Sequence, residues 1–298
     1  MNGILVIDKP QGPTSHDVVA RARRALSTKR VGHTGTLDPF ATGVMILLVG
    51  KATRLAQFLD KDQKEYEAVI RFGSETDTGD KTGTPRPTSA DGRGPLTEAA
   101  IKDALDRFRG EIEQIPPMYS AKKIDGQKLY TLARQGRTIE RPPAKVTIFE
   151  IELIKTDGLN GDDPTAATRV VSSAGTYIRT LAEDIGRALG TGAHLAELRR
   201  TRAGRFDLLQ SITLDQIEAA DDPARLLTPM SEAVAHLPQF LLDADRIEKT
   251  RNGLSSRYTA GEFAEGQAVR MIDEAGDLIA IGRFSFNEGS VQPIAVLM

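Results

Sequence analysis

Cysteine is absent from all 298 residues. Disulfides, thiolate nucleophiles and cysteine-ligated zinc are excluded with it. Histidine is scarce: only His16, His33, His194 and His236 occur, and no two stand at a metal-binding spacing such as H-x-x-x-H. No apolar run reaches the roughly 18 residues of a membrane helix. The opening Met1-Asn2-Gly3-Ile4 lacks the basic start of a secretory leader. A cytoplasmic protein is expected.

Neither sign of charge is in excess: the net charge is −2, with 40% hydrophobic and 27% charged residues, as in ordinary soluble proteins. The length accommodates one large domain and one small one. The charge is nevertheless sorted. Residues 119–145 carry seven basic side chains against two acidic ones, a net +5, whereas residues 221–298 carry seven against twelve, a net −5. Such sorting would present a basic face to a polyanion, although any one cluster also reads as a solvated helix face.

Several elements are legible locally. Ile4-Leu5-Val6-Ile7 reads as a buried strand halted by the Pro10/Gly12/Pro13 turn. Thr14-Ser15-His16-Asp17 has the form of a capping box ahead of a helix with Val18, Ala22, Ala25 and Leu26 on one face. Val44 to Val49 is a continuous apolar run of strand length, and Ala52, Leu55, Phe58 and Leu59 have helical spacing. Tyr66, Ala68, Ile70 and Phe72 share one face of an alternating strand, which makes Tyr66 a core or rim aromatic. Residues 74–95 read as a long surface loop. Thr97 caps a helix with Ile101, Leu105 and Phe108 inward. Strand patterns return at 146–154 and 169–172, with a polar loop at 157–164. A helix with Ile178, Leu181, Ile185 and Leu189 follows, ending at Gly190, and residues 195–198 lead on to Arg199, Arg200, Arg202 and Arg205. From about residue 240, glycine-punctuated short strands suggest a small all-β module, with 269–272 pairing with 278–281.

The most informative stretch runs from Val31 to Arg54. Asp38 precedes Pro39, which pushes its backbone toward extended conformations, and Gly35 and Gly43 flank it. One carboxylate on a stiff loop at the mouth of a strand is how a catalytic group is mounted. An Asp-Pro turn that merely ends a strand fits the same residues. Arg179 falls in the first turn of its helix, where a cation opposes the macrodipole at a cost of about 0.3–1 kcal/mol. It calls for a carboxylate partner, unless it snorkels to solvent. Other chemistries fail. Gly50-Lys51-Ala52-Thr53 lacks the glycine of a P-loop, since Met45 stands five residues before Gly50. No G-x-S-x-G elbow exists, adjacent Ser15-His16-Asp17 cannot form a triad, and nothing pairs Asp38 with a second acid as a glycosidase requires.

Gly32-His33-Thr34-Gly35-Thr36-Leu37-Asp38-Pro39-Phe40-Ala41-Thr42-Gly43 closely resembles the signature of the TruB family, the tRNA pseudouridine synthases that modify uridine 55 of the T-loop. Further resemblances follow in family order. They are Leu5-Val6-Ile7-Asp8-Lys9-Pro10-Gln11-Gly12, Lys64-Glu65-Tyr66, and Pro116-Pro117-Met118-Tyr119-Ser120-Ala121 with Gly126-Gln127-Lys128-Leu129-Tyr130 and Ala133-Arg134, then Gly175-Thr176-Tyr177-Ile178-Arg179. The tail is similar, less strongly, to a PUA-type module.

The resemblance implies an α+β pseudouridine-synthase fold: a mixed, largely antiparallel sheet flanked by helices, plus a small C-terminal β-barrel-like module. Catalysis would occupy residues 1–238, with an RNA-gripping thumb at about 119–145, and the module 239–298. The catalytic residues would be Asp38, acting during glycosidic cleavage; Arg179, pairing with it and lowering its pKa to keep it ionised; and Tyr66, stacking on the flipped uracil and serving proton transfer. RNA contacts would come from His33, Lys9, Lys64, Tyr119, Lys122, Lys128, Arg134, Tyr177, Arg199, Arg200 and Arg202. Extruding a base costs a few kcal/mol, and stacking returns about 1–3 kcal/mol per base. Basic segments at 21–30, 122–145 and 199–205 would neutralise phosphates. The expected partner is the tRNA T stem-loop, with no cofactor, metal, membrane or obligatory protein partner, and a monomeric state. The alternatives are a guide-RNA-dependent synthase of the dyskerin type, against which the basic 119–145 segment argues, and a non-catalytic RNA-binding or RNA-folding protein.

Overall fold

The protein is described from a computed structural model covering all residues except 60–61, 87–94, 121, 125, 259–260 and 298, and the side chains of Lys123, Lys128 and Arg134. The chain opens with strand β1 (Gly3–Lys9), helix α1 (Ser15–Ala25) and strands β2 (Val31–Thr34) and β3 (Thr42–Val49). β1 lies antiparallel to β3, pairing Gly3 with Val49 and Lys9 with Gly43. Both faces of this pair are covered, which accounts for the unbroken apolar runs. Leu5, Ile7, Met45 and Leu47 point into the main core. Ile4, Val6, Val44, Ile46 and Leu48 point into a second core that includes Leu278, Ile281, Ala295 and Leu297 near the C-terminus. Thr14 caps α1 through the reciprocal bonds with Asp17 that its sequence announces.

After a 3-10 turn (Gly50–Leu55) come α2 (Ala56–Leu59), β4 (Lys64–Phe72), the short strands β5 (Glu75–Thr76) and β6 (Pro85–Arg86), α3 (Glu98–Asp106) and β7 (Gly110–Gln114). The basic segment folds as β8 (Lys123–Ile124), β9 (Gln127–Lys128) and α4 (Leu129–Arg134). Next are β10 (Ala144–Asp157), β11 (Thr165–Ser172), α5 (Ile178–Leu189), β12 (Ala193–Ala203) and β13 (Phe206–Asp207). The sheet order is β1-β3-β12-β4-β11-β10-β7, with β2 paired to β3 and β13 to β12. Its ladders are antiparallel except β3 with β12, giving the mixed, largely antiparallel sheet expected. α3 and α5 bury Ile101, Leu105, Leu181 and Ile185 in the same core as Tyr66, Ala68, Ile70 and Phe72 of β4.

Four local expectations need correction. Residues 193–203 form a central strand rather than a lead-in to arginines. Register shifts between Leu195 and Glu197 and between Arg200 and Arg202 break the alternation that would reveal it. Residues 50–59 are helical as the spacing predicts, but as a 3-10 turn over 50–55 that runs into a single α-turn, Ala56–Leu59. The 74–95 loop contains the β5–β6 hairpin, and 87–94 lies outside the described residues. The C-terminal module is not all-β. Its five-stranded sheet, in the order β14 (Gln239–Leu241), β16 (Ala268–Ile272), β17 (Leu278–Ser285), β18 (Ser290–Val296), β15 (Ser256–Arg257), is accompanied by a helix at Ala244–Arg251 capped by Asp243. The expected hairpin is there, pairing Ala268 with Arg283 through Ile272 with Leu278.

Candidate active site

The loop between β2 and β3 is held from several sides. Ser15 Oγ both donates to the Leu37 carbonyl at 2.9 Å and accepts from the Leu37 N–H at 3.0 Å. Lys9 Nζ donates to Ala41 O at 2.7 Å, Pro10 O at 2.9 Å and Pro39 O at 3.3 Å. Arg200 Nε donates to Val44 O at 2.6 Å, and its Nη2 to Gly35 O at 2.9 Å. Gly43 has a φ of 100°, and a Cβ there would collide with the Arg200 backbone, so only glycine fits the crossing. Asp38 therefore rides on a clamped loop rather than a free turn.

Two expected RNA contacts are corrected by the same geometry. Lys9 and Arg200 are 0% and 1% exposed. Both spend donors on protein carbonyls; Lys9 has no surface left for RNA, and Arg200 shows only the edge that lines the cleft beside Asp38. Burial lowers the Lys9 pKa to about 8, against the pull of Asp38 and with help from Arg200.

Arg179, in the first turn of α5, reaches Asp38 with both arms of its fork: Nε is 3.0 Å from Oδ2, and Nη2 donates to Oδ1 at 3.3 Å. Its Nη1 donates to Thr78 O at 2.8 Å and lies 3.5 Å from Asp80 Oδ2, and Nη2 also donates to Tyr119 O at 2.7 Å. Two carboxylates thus offset a cation placed against the helix dipole. Asp80 was not singled out by the sequence. It is buried and oriented by the Thr82 N–H at 2.9 Å and the Thr78 hydroxyl at 2.9 Å. Its place in the long 74–95 loop was its only signal.

The Asp38 balance also differs from expectation. Burial pushes its carboxyl above the ordinary aspartate value and outweighs Arg179, which pulls it down; Asp80 adds to the rise and Lys9 opposes it. About a third of the side chain, 32%, stays accessible. It faces a cleft of about 280 Å³ walled by Tyr66, Lys64, Leu198, Tyr177 and Lys122. Tyr66 is buried on β4, opposite Val170 and Arg200. Burial raises the Tyr177 phenol.

The remaining candidates are dispersed. Tyr119 contributes its carbonyl to Arg179 and lines a neighbouring groove. Arg199 forks onto Asp8 at 2.7 and 3.2 Å, and Arg202 lies 3.5 Å from Glu65. His33 packs edge-on against His16, ring centroids 6.0 Å apart. The side chains of Lys128 and Arg134 lie outside the described residues.

This geometry accompanies a close sequence match. Residues 23–178 match the family model described as TruB family pseudouridylate synthase (N terminal domain), and residues 179–235 match the tRNA pseudouridylate synthase B C-terminal domain. The chain belongs to the TruB family. It is 43% identical over 288 residues to tRNA pseudouridine synthase B of Solibacter usitatus, covering 95% of each chain. It is 48% identical over 295 residues to that of Aromatoleum aromaticum, covering 98% of this chain and 92% of the relative. Among solved structures, a chain of a Cbf5-Nop10-Gar1 complex superposes with a TM-score of 0.74 at 30% identity, over 99% of this chain and 85% of that one. Besides Asp80, this TruB-family site relies on Ser15, which the sequence offered only as part of a capped helix start because it works through the Leu37 backbone of a distant segment.

Proposed function

We propose that the protein isomerises uridine 55 in the T-loop of tRNA to pseudouridine. The uridine is extruded from its stack into the cleft beside Asp38, where Tyr66 covers the base. Asp38 acts on the sugar or the base as the C1′–N1 bond breaks; the freed uracil turns, C1′ bonds to C5, the C5 proton leaves, and N1 takes up a proton in its place. Atoms and electrons balance within the substrate, so the reaction draws on no outside oxidant, reductant or group donor. Arg179 orients Asp38 and offsets its charge. The observation that carries this reading is the two-armed Arg179–Asp38 contact at the floor of a cleft that also holds Tyr66.

The exposed cations of the basic segments meet tRNA phosphates, Lys122 nearest the cleft. Residues 1–238 carry the chemistry and 239–298 a PUA-type module. The enzyme works as a cytoplasmic monomer without an obligatory protein partner; no helix among the described residues is long and apolar enough to cross a membrane. Incubating the protein alone with an unmodified tRNA transcript and quantifying pseudouridine at position 55 tests the reading. Stoichiometric conversion is expected. No product, or product only with an added guide RNA, overturns it.

A further inference from the structure

Arg179 owes its position to the start of α5, and that start has no side-chain cap of its own. The residue before the helix is Tyr177, whose ring cannot turn back onto the first-turn amides. Gln114, at the end of β7 and 63 residues away, binds that residue instead. Its Oε1 accepts the Tyr177 N–H at 2.9 Å, and its Nε2 donates to the Tyr177 carbonyl at 3.2 Å. Gln114 is 1% exposed, so water does not compete for either bond. One planar amide gripping both polar groups of one residue fixes the direction of its backbone. The Tyr177 carbonyl also receives the Leu181 N–H, the first turn's own bond. The roll of that turn, and with it the direction in which Arg179 leaves the helix, is set from β7.

A second link points the same way. Five residues beyond Gln114, the Tyr119 carbonyl accepts from Arg179 Nη2 at 2.7 Å. The segment that leaves β7 therefore holds the backbone two residues before Arg179 and also accepts from the tip of Arg179 itself. We infer that Gln114 is a positioning residue for Arg179, aiming the guanidinium at Asp38 through the Tyr177 backbone; the inference rests on the roles proposed above for Asp38 and Arg179. Gln114 also ends the strand from which the basic segment departs.

The test is a double-mutant cycle between Gln114→Met and Arg179→Lys, with single-turnover rates and tRNA affinity measured for each protein. Gln114→Met is expected to slow the reaction by about 10- to 100-fold, the scale of a misaimed reacting group. Affinity should change by less than about threefold, and in the Arg179→Lys background the same substitution should cost less than about threefold, because the residue it aims has lost its fork. Equal rate losses in both backgrounds, or parallel losses of rate and affinity, would overturn the inference. Should Gln114→Met not fold, Gln114→Glu decides: it keeps the acceptor for the Tyr177 N–H and loses the donor, so a smaller loss with the same non-additivity is expected, and full activity overturns the proposal. Turnover by Asp38→Asn would instead remove the underlying mechanism, whatever Gln114 does.

Discussion

Arg179 meets Asp38 fork to fork, Nε 3.0 Å from one carboxylate oxygen and Nη2 3.3 Å from the other. The two residues are 141 positions apart in the chain, and each is held by neighbours that leave it little freedom. Lys9, Ser15 and Arg200 clamp the loop under Asp38, while Thr78, Tyr119 and Asp80 surround the guanidinium. A carboxylate so placed is preorganised before a substrate arrives, which is where fixed charges contribute most to catalysis.

Asp38→Asn should bind tRNA with unchanged affinity and form no pseudouridine. Binding by filter retention and pseudouridine by nucleoside analysis check the two halves separately. Normal turnover would take Asp38 out of the mechanism.

Arg179→Ala should lower the rate by about 100-fold or more, the scale seen when a preorganised partner of a reacting group is removed, with a much smaller loss of affinity. Arg179→Lys should recover little, because an ammonium cannot reproduce the fork. Equal falls in rate and affinity would mean that the arginine serves only a phosphate.

The Asp38 carboxyl, raised by burial, holds its proton more tightly in the folded chain than in the unfolded one. Its contribution to stability is therefore fully present at acidic pH and lost as pH climbs through the folded pKa. Two outcomes follow. The rate should rise with pH along a limb lying above the ordinary aspartate value of 3.8. Asp38→Asn should melt above the parent protein at neutral pH, and the gap should close on acidification. A parent protein that melts higher at neutral pH would contradict the sign.

Lys9→Met should leave the salt dependence of tRNA binding unchanged, whereas removing a lysine that neutralises one phosphate lowers the slope by about one. It should destabilise the fold by about 1–3 kcal/mol, since the carbonyls of Pro39 and Ala41 lose a buried donor. The rate should fall as the loop under Asp38 loosens. Affinity titrated over a salt series, together with a melting curve, distinguishes the two roles.

Short-range features of this protein were legible because they depend on neighbours in sequence. The Thr14–Asp17 capping box, the alternation from Lys64 to Phe72, the apolar run of β3 and the extended backbone before Pro39 are all local consequences of side-chain shape and solvation. Even the misplaced charge of Arg179 raised the choice between a carboxylate partner and solvent. Which carboxylates, and from where, was decided by the fold: Asp38 arrives from the β2–β3 loop and Asp80 from the β5–β6 turn. Composition also could not tell an inward cation from an outward one. The resemblance implied RNA contacts for Lys9 and Arg200, yet both are buried under the Asp38 loop, where their donors satisfy its carbonyls. β12 escaped notice for a related reason, since its two register shifts break the period that marks a strand. The sequence by itself determined the chemistry on offer, one acid before a proline with cations in reserve. Only the tertiary structure decided which of those cations faces the acid and which clamp the loop beneath it, because these are distances between segments that no local preference encodes.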